Sequence, residues 1–181
     1  MQDKNGKAVR ALKKIIPLLK KYHFQWIITG GFACYVYGVK RNLTDIDIDI
    51  KVNKDSVEFK AFLAELKLFI TQPLEHFIDK NYDNYNFEIT INGQVIDICP
   101  MADLKIFDKN KKKYVPFYSN GFPKIEKVKF KGVTLPLLSK ELIIKNKEML
   151  VWQRESDLRD IEGLKIIIQK EGNKLKDYIT V

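Results

Sequence analysis

The chain has 181 residues, 45% hydrophobic and 30% charged, a balance that excludes a disordered or collagen-like polymer and suffices for a packed core. Lysine and arginine number 32 against 23 aspartates and glutamates, so the formal net charge is +9 and polyanions such as nucleotides or nucleic acid are the favoured partners. Only Cys34 and Cys99 are present, far apart, and with His23 and His76 they show no ligand spacing, so neither a disulfide scaffold nor a zinc site is expected.

The chain starts polar, and the first apolar run, Ile15-Ile16-Pro17-Leu18-Leu19, is too short for a secretory core. Residues 22–39 form the longest stretch without Lys, Arg, Asp or Glu, but Gly30-Gly31 breaks it below the roughly 20 residues a spanning helix needs. A cytoplasmic protein with no membrane partner is expected. Ala8, Leu12, Ile15, Ile16 and Leu19 recur at helical spacing with lysines between them, predicting a basic amphipathic helix to about Tyr22, irregular near Pro17. Trp26-Ile27-Ile28-Thr29 reads as a short buried strand ended by Gly30-Gly31, and residues 32–37 as a helix stopped by Gly38. Residues 45–52 alternate acid and isoleucine, the period of a strand, and residues 56–68 form an amphipathic helix. Residues 86–91 and 94–98 flank Asn92-Gly93, the signature of a type I′ hairpin. Residues 100–122, poor in pattern and holding the lysine-rich run 109–113, read as loop. A second hairpin is expected around Lys131-Gly132, then two helices over residues 139–152 and 156–170, with Ser139 and Ser156 as N-caps. The fold class is α/β: a mixed sheet flanked by helices with a helical tail, one domain over residues 1–181. Its core spans about 23–100, and the second hairpin and tail about 123–175.

The most informative segment is Thr44-Asp45-Ile46-Asp47-Ile48-Asp49-Ile50. On a strand the three aspartates share one face about 6–7 Å apart. Aspartate is depleted in strands and neighbouring like charges repel, so the row needs compensation, which a hard divalent cation provides. Asp97, in the otherwise apolar Val95-Ile96-Asp97-Ile98, joins the same cluster if its strand lies alongside. Thr29-Gly30-Gly31 ends a strand and opens a helix, where backbone N–H groups and the helix dipole suit a phosphate.

Strand, Gly30-Gly31, helix, Lys40-Arg41, Thr44-Asp45-Ile46-Asp47 and then an isolated Asp97 resemble the nucleotidyltransferase superfamily, most nearly its small bacterial and archaeal AbiEii-like members. The resemblance implies a mixed sheet in which Asp45, Asp47 and Asp97 hold Mg²⁺ (or Mn²⁺), two ions in all. Gly30, Gly31, Arg41 and Thr44 would bind a nucleoside triphosphate. Asp49 has no role in that pattern. Lys147 and Arg154, with Asp157-Leu158-Arg159-Asp160 behind them, are similar to the helical segment of the same proteins, although Ser156 stands where lysine is usual. They would face phosphates, or else form a surface ion-pair network. The implied activity is transfer of a nucleoside monophosphate to an acceptor hydroxyl of RNA, tRNA, protein or a small molecule, with release of pyrophosphate. Two rivals stand beside it. One is the same fold as an idle binding module in a toxin–antitoxin or nucleic-acid system. The other is a metal-dependent nuclease, through the acid-x-lysine triplet Asp49-Ile50-Lys51. Lys127, Lys129 and Lys131 form a basic strand face suited to RNA phosphates, and Tyr114, Phe117 and Tyr118 suit base stacking or packing.

Overall fold

The computed structural model describes residues 4–118 and 121–179, with side chains over 6–118 and 121–173. Residues 1–3 of the polar start, and 119 and 120 of the expected loop, lie outside the described residues. Among the described residues nine strands join one mixed sheet. The helix α1 (Lys4–Lys21) passes through Pro17 and fully buries Ala8, Leu12, Ile15 and Leu19. His23, at φ +55°, turns the chain into β1 (Trp26–Ile28). The short α2 (Gly30–Tyr37) ends at Gly38, whose φ of +111° suits glycine. Next come β2 (Asp45–Ile50) and α3 (Val57–Leu66), which is capped by the Ser56 hydroxyl accepting from the Phe59 amide at 3.2 Å.

The expected hairpin forms from β4 (Tyr82–Ile91) and β5 (Gln94–Pro100), with Asn92 at φ +53° and Gly93 at +72°. Before it runs a strand the sequence pattern did not announce, β3 (Ile70–Ile78), paired antiparallel to β4. It is exposed along most of its length and its register shifts on either side of Gln72, the second shift spanning Pro73, so it carries no alternation to read. The stretch expected as loop holds a 3-10 turn over Met101–Asp103 and a small hairpin, β6 (Lys105–Asp108) and β7 (Lys113–Pro116). Its turn is built by Asp108, whose carboxylate accepts from the amides of Asn110 and Lys111 at 2.9 and 3.0 Å. Ile106 is its one deeply buried side chain, so hydrophobic pattern could not disclose it. The second hairpin is β8 (Ile125–Phe130) and β9 (Val133–Leu138), followed by α4 (Lys140–Met149) and α5 (Glu155–Ile179). Ser156 lies inside the first turn of α5 rather than capping it: the Arg154 amide donates to Asp157 instead, at 3.0 Å.

The strand order is β7-β6-β4-β5-β2-β1-β9-β8, with β3 on β4. The pairs β2–β5 and β1–β9 are parallel and the remainder antiparallel. Ile46, Ile48 and Ile50 of β2, with Ile96 and Ile98 of β5, enter the core shared with α1 and α3. Those two helices are tied together by Tyr22, whose hydroxyl donates to the Ala61 carbonyl at 3.2 Å and whose ring meets Phe62 edge-on. Period-two alternation then sends Asp45, Asp47 and Asp49 to the opposite face. There α2, α4 and α5 cover one end of the sheet, and the strands beyond form a cleft.

Candidate active site

Parallel pairing of β2 with β5 sets Asp47 directly beside Asp97. Asp45, Asp47, Asp49 and Asp97 all line a cavity of about 600 Å³. The same cavity is lined by Gly30, Gly31, Arg41, Thr44, Lys147 and Arg154, so residues separated by more than a hundred positions meet at one cleft. Thr44 Oγ1 donates to the Asp45 carboxylate at 2.8 Å. The Thr29 amide donates to the Asp47 carbonyl at 3.0 Å, pinning the start of α2 against the acidic strand.

Gly30 is required twice. Its φ is +58°, and a Cβ there would lie 1.9 Å from Asp47 Oδ2. At Gly31 a Cβ would lie 2.2 Å from the guanidinium carbon of Arg41. The two glycines thus admit a carboxylate on one side and a cation on the other, against the first turn of α2.

Burial raises the Asp47 carboxyl to about 7, and the charges of Asp45, Asp97 and Asp49 push the same way. Burial raises Asp97 to about 6, against hydrogen bonds from Asn86 Nδ2 at 3.2 and 3.3 Å. Asp49 is likewise raised to about 7 by burial, although the Tyr118 hydroxyl donates to it at 2.7 Å. Asp49 is therefore neither a solvated acid nor a surface neighbour of Lys51, which is exposed and stands 6.0 Å from the Phe122 ring. The acid-x-lysine triplet of a nuclease does not assemble at the cleft.

Opposite the acids, cations and carboxylates alternate. Arg41 Nη1 pairs with Asp160 at 2.5 Å, and Lys147 Nζ reaches Asp160 at 3.1 Å and Asp157 at 2.5 Å. Arg154 Nε reaches Asp157 at 3.1 Å. Both aspartates are 1% exposed. Burial alone would raise Asp157, but hydrogen bonds from Arg154 and Lys147 outweigh it and hold the carboxyl at about 2. Burial opposes the charge on Lys147, yet the bond to Asp157 leaves its pKa raised. Lys147 and Arg154 thus do belong to an ion-pair network, one that lines the cleft. Three cations against two carboxylates leave it one positive charge in excess.

Sequence reasoning missed Asn86, Asn84 and Trp152, all of which line the cavity; Phe117 and Tyr118, read as stacking or packing residues, line it too. Asn84 Oδ1 is buried with no hydrogen-bond partner among the described residues. The polar alternation Asn84, Asn86, Glu88 on β4 was a readable signal, but only the β4–β5 register, Glu88 opposite Asp97, brings it to the acids. Among the described residues no three His, Cys, Asp or Glu side chains converge as a ready metal cage. The donor chemistry nevertheless fits an oxygen-ligated divalent cation: clustered carboxylates, with no described residue hydrogen-bonding the Asp47 side chain. Lys127 and Lys129 are exposed on β8, outside the cavity lining. No helix among the described residues is long and apolar enough to cross a membrane.

No protein-family model matches the sequence. No curated protein matches it either. Solved structures do. A Thermotoga maritima protein assigned as a nucleotidyltransferase superposes with a TM-score of 0.61 at 19% identity, over 96% of this chain and 93% of its own. The lincosamide antibiotic adenylyltransferase LnuA, solved with lincomycin, gives 0.55 at 19% identity over 86% and 95%. ANT(2″)-Ia, solved with adenylyl-2″-tobramycin, gives 0.57 at 16% identity over 93% of each chain. The likeness spans nearly the whole chain, and this protein has the nucleotidyltransferase fold, a mixed α/β sheet with a C-terminal helix.

Proposed function

We propose that the protein is a Mg²⁺- or Mn²⁺-dependent nucleotidyltransferase that moves a nucleoside monophosphate from a nucleoside triphosphate to an acceptor hydroxyl. The observation that carries this reading is the meeting, at one cavity, of the Asp45/Asp47/Asp97 carboxylates, the Gly30-Gly31 opening of α2, and the cations Arg41, Lys147 and Arg154. It is further supported by the adenylyltransferases among the structural neighbours, whose acceptors are antibiotics.

Gly30 and Gly31 add no side chain of their own to the first turn of α2, so the Asp47 carboxylate and the Arg41 guanidinium pack against the turn whose amides would receive phosphate oxygens. Arg41, Lys147 and Arg154 share their charge between Asp157 or Asp160 and the incoming phosphates. Asp45, Asp47 and Asp97 would hold the divalent cations, which neutralise the phosphates and the pyrophosphate leaving group. Asp97, oriented by Asn86, would stand nearest the acceptor hydroxyl, either as ligand or as the base that takes its proton as the oxygen attacks the α-phosphorus. The bond from the α-phosphorus to the bridging oxygen breaks and pyrophosphate leaves.

The test incubates the protein with Mg²⁺ and each α-labelled nucleoside triphosphate, with total RNA and cell lysate as acceptor pools. Label should pass to a defined species, and Asp47→Asn should abolish it. Tight nucleotide binding with no transfer in any pool would instead identify a binding module of a toxin–antitoxin or nucleic-acid system.

A further inference from the structure

Trp152 is 58% exposed, yet it lines the cavity beside the catalytic candidates. The other tryptophan, Trp26, is 9% exposed and belongs to the core. A half-exposed indole in a connection between helices is costly in water, where a polar residue would serve. Its backbone, moreover, is held. Asn81, buried at the β3–β4 turn, accepts from the Trp152 amide at 3.1 Å and donates to the Trp152 carbonyl at 3.0 Å, while also accepting from the Val151 amide at 2.8 Å. A side-chain amide from 71 residues away in sequence thus clamps both polar groups of this residue. Asn81 is itself set by Asp79, which accepts from the Asn81 amide at 2.8 Å. From β3, Phe77 brings a second half-exposed aromatic ring to the same cavity.

Trp152 also stands two residues before Arg154, on the connection that follows Lys147 in the last turn of α4, and the Lys147 carbonyl accepts from Gln153 Nε2 at 2.7 Å. The end of α4 and the short, hydrogen-bonded connection after it therefore carry two of the three cleft cations, Lys147 and Arg154, together with a large flat apolar face. A ligand that uses both has phosphates at one end and a planar ring at the other.

We infer that Trp152 is the stacking platform for the nucleobase of the donor nucleotide, with Asn81 as the positioning residue that fixes it. This inference rests on the nucleotide reading of the cleft. Stacking is tolerant of base identity because every base presents a π-face, so Trp152 supplies affinity for the ring rather than choice among bases. Asn81 acts through Trp152, because its side-chain amide is engaged by the Val151 and Trp152 backbone.

Calorimetry with Mg-ATP and with Mg-tripolyphosphate, which has the phosphates and no ring, separates the two ends of the ligand. For the wild-type protein both should bind, and Mg-ATP should quench the fluorescence of the exposed tryptophan while tripolyphosphate does not. Trp152→Ala should weaken Mg-ATP roughly tenfold or more and leave tripolyphosphate unchanged. Trp152→Phe should recover most of the ATP affinity. Asn81→Ala should weaken ATP in the same selective way, measured on protein shown to be folded by its thermal transition. If Trp152→Ala leaves ATP affinity unchanged, or weakens both ligands equally, the platform is overturned. If the wild-type protein binds neither ligand, the nucleotide reading itself has failed.

Discussion

At the residue scale, the cleft is set by side chains that are absent as much as by those present. Gly30 combines a left-handed backbone with a carboxylate 1.9 Å from where a Cβ would stand. Gly30→Ala must therefore either move Asp47 or distort the turn. The strained φ alone costs about 1–2 kcal/mol, lowering the melting temperature by several degrees, and displacement of Asp47 should remove Mg-nucleotide binding; differential scanning calorimetry and a binding titration check the two effects. Asp47→Asn should separate them the other way. Asn at this position removes a buried charge that burial, and after it the charges of Asp45, Asp97 and Asp49, disfavour, so the metal-free variant should melt at the wild-type temperature or above. Mg-ATP at a hundred times its dissociation constant should then stabilise the wild type by about 2.7 kcal/mol and the variant not at all. Lower stability of metal-free Asp47→Asn would show that this acid serves the fold.

At the scale of elements, the helical pair α4–α5 holds the cationic side of the cleft by an ion-pair relay. Asp157 has no apolar substitute for its role, since it takes the Arg154 amide, the Arg154 side chain and Lys147 together. Its carboxyl is held at about 2, below the usual 3.8, so the folded state binds a proton less readily than the unfolded chain. The stability this provides is fully present above pH 3.8 and is lost as the pH falls toward 2. A shift of that size is on the order of 2 kcal/mol. Asp157→Asn should therefore be less stable at neutral pH, with the difference from wild type shrinking between pH 4 and 2, as chemical denaturation across that range would measure. The elements themselves were unequally readable. The Asn92-Gly93 hairpin, α1 and β2 follow from local turn chemistry and periodicity. The strand β3 and the β6–β7 hairpin do not, because they are short or exposed strands at the rim of the sheet that draw their hydrogen bonds from a neighbour and bury few side chains.

At the scale of the whole molecule, the net charge of +9 is not concentrated at the cleft, which is acidic on its sheet side. Exposed lysines on β8 lie at the far edge of the sheet. On the proposal that the acceptor is RNA, their contribution to binding it would be long-range and separable from nucleotide affinity. Changing Lys127 and Lys129 to glutamate should leave the affinity for Mg-ATP as it is. Binding of single-stranded RNA should weaken, and its salt dependence should become shallower by about 0.7 in log–log slope for each phosphate that is no longer neutralised. A shift in the nucleotide constant would place those lysines closer to the cleft than the sheet order does.

The sequence by itself determined the alternation that puts isoleucines on one side of β2 and aspartates on the other, and the glycines that end β1. It also determined the register of the Asn92-Gly93 hairpin, because each of these is a property of neighbours along the chain. Only the tertiary structure decided that Asp97 stands beside Asp47, that Arg41 reaches Asp160 across 119 positions, and that Asn81 clamps Trp152. The same holds for Asp49: as a sequence feature it was an unexplained third acid, and in the fold it is a buried carboxylate held by Tyr118. Such pairings depend on which strands lie side by side and which loop returns to the cleft. That choice is made by burial of the shared core, not by any local propensity.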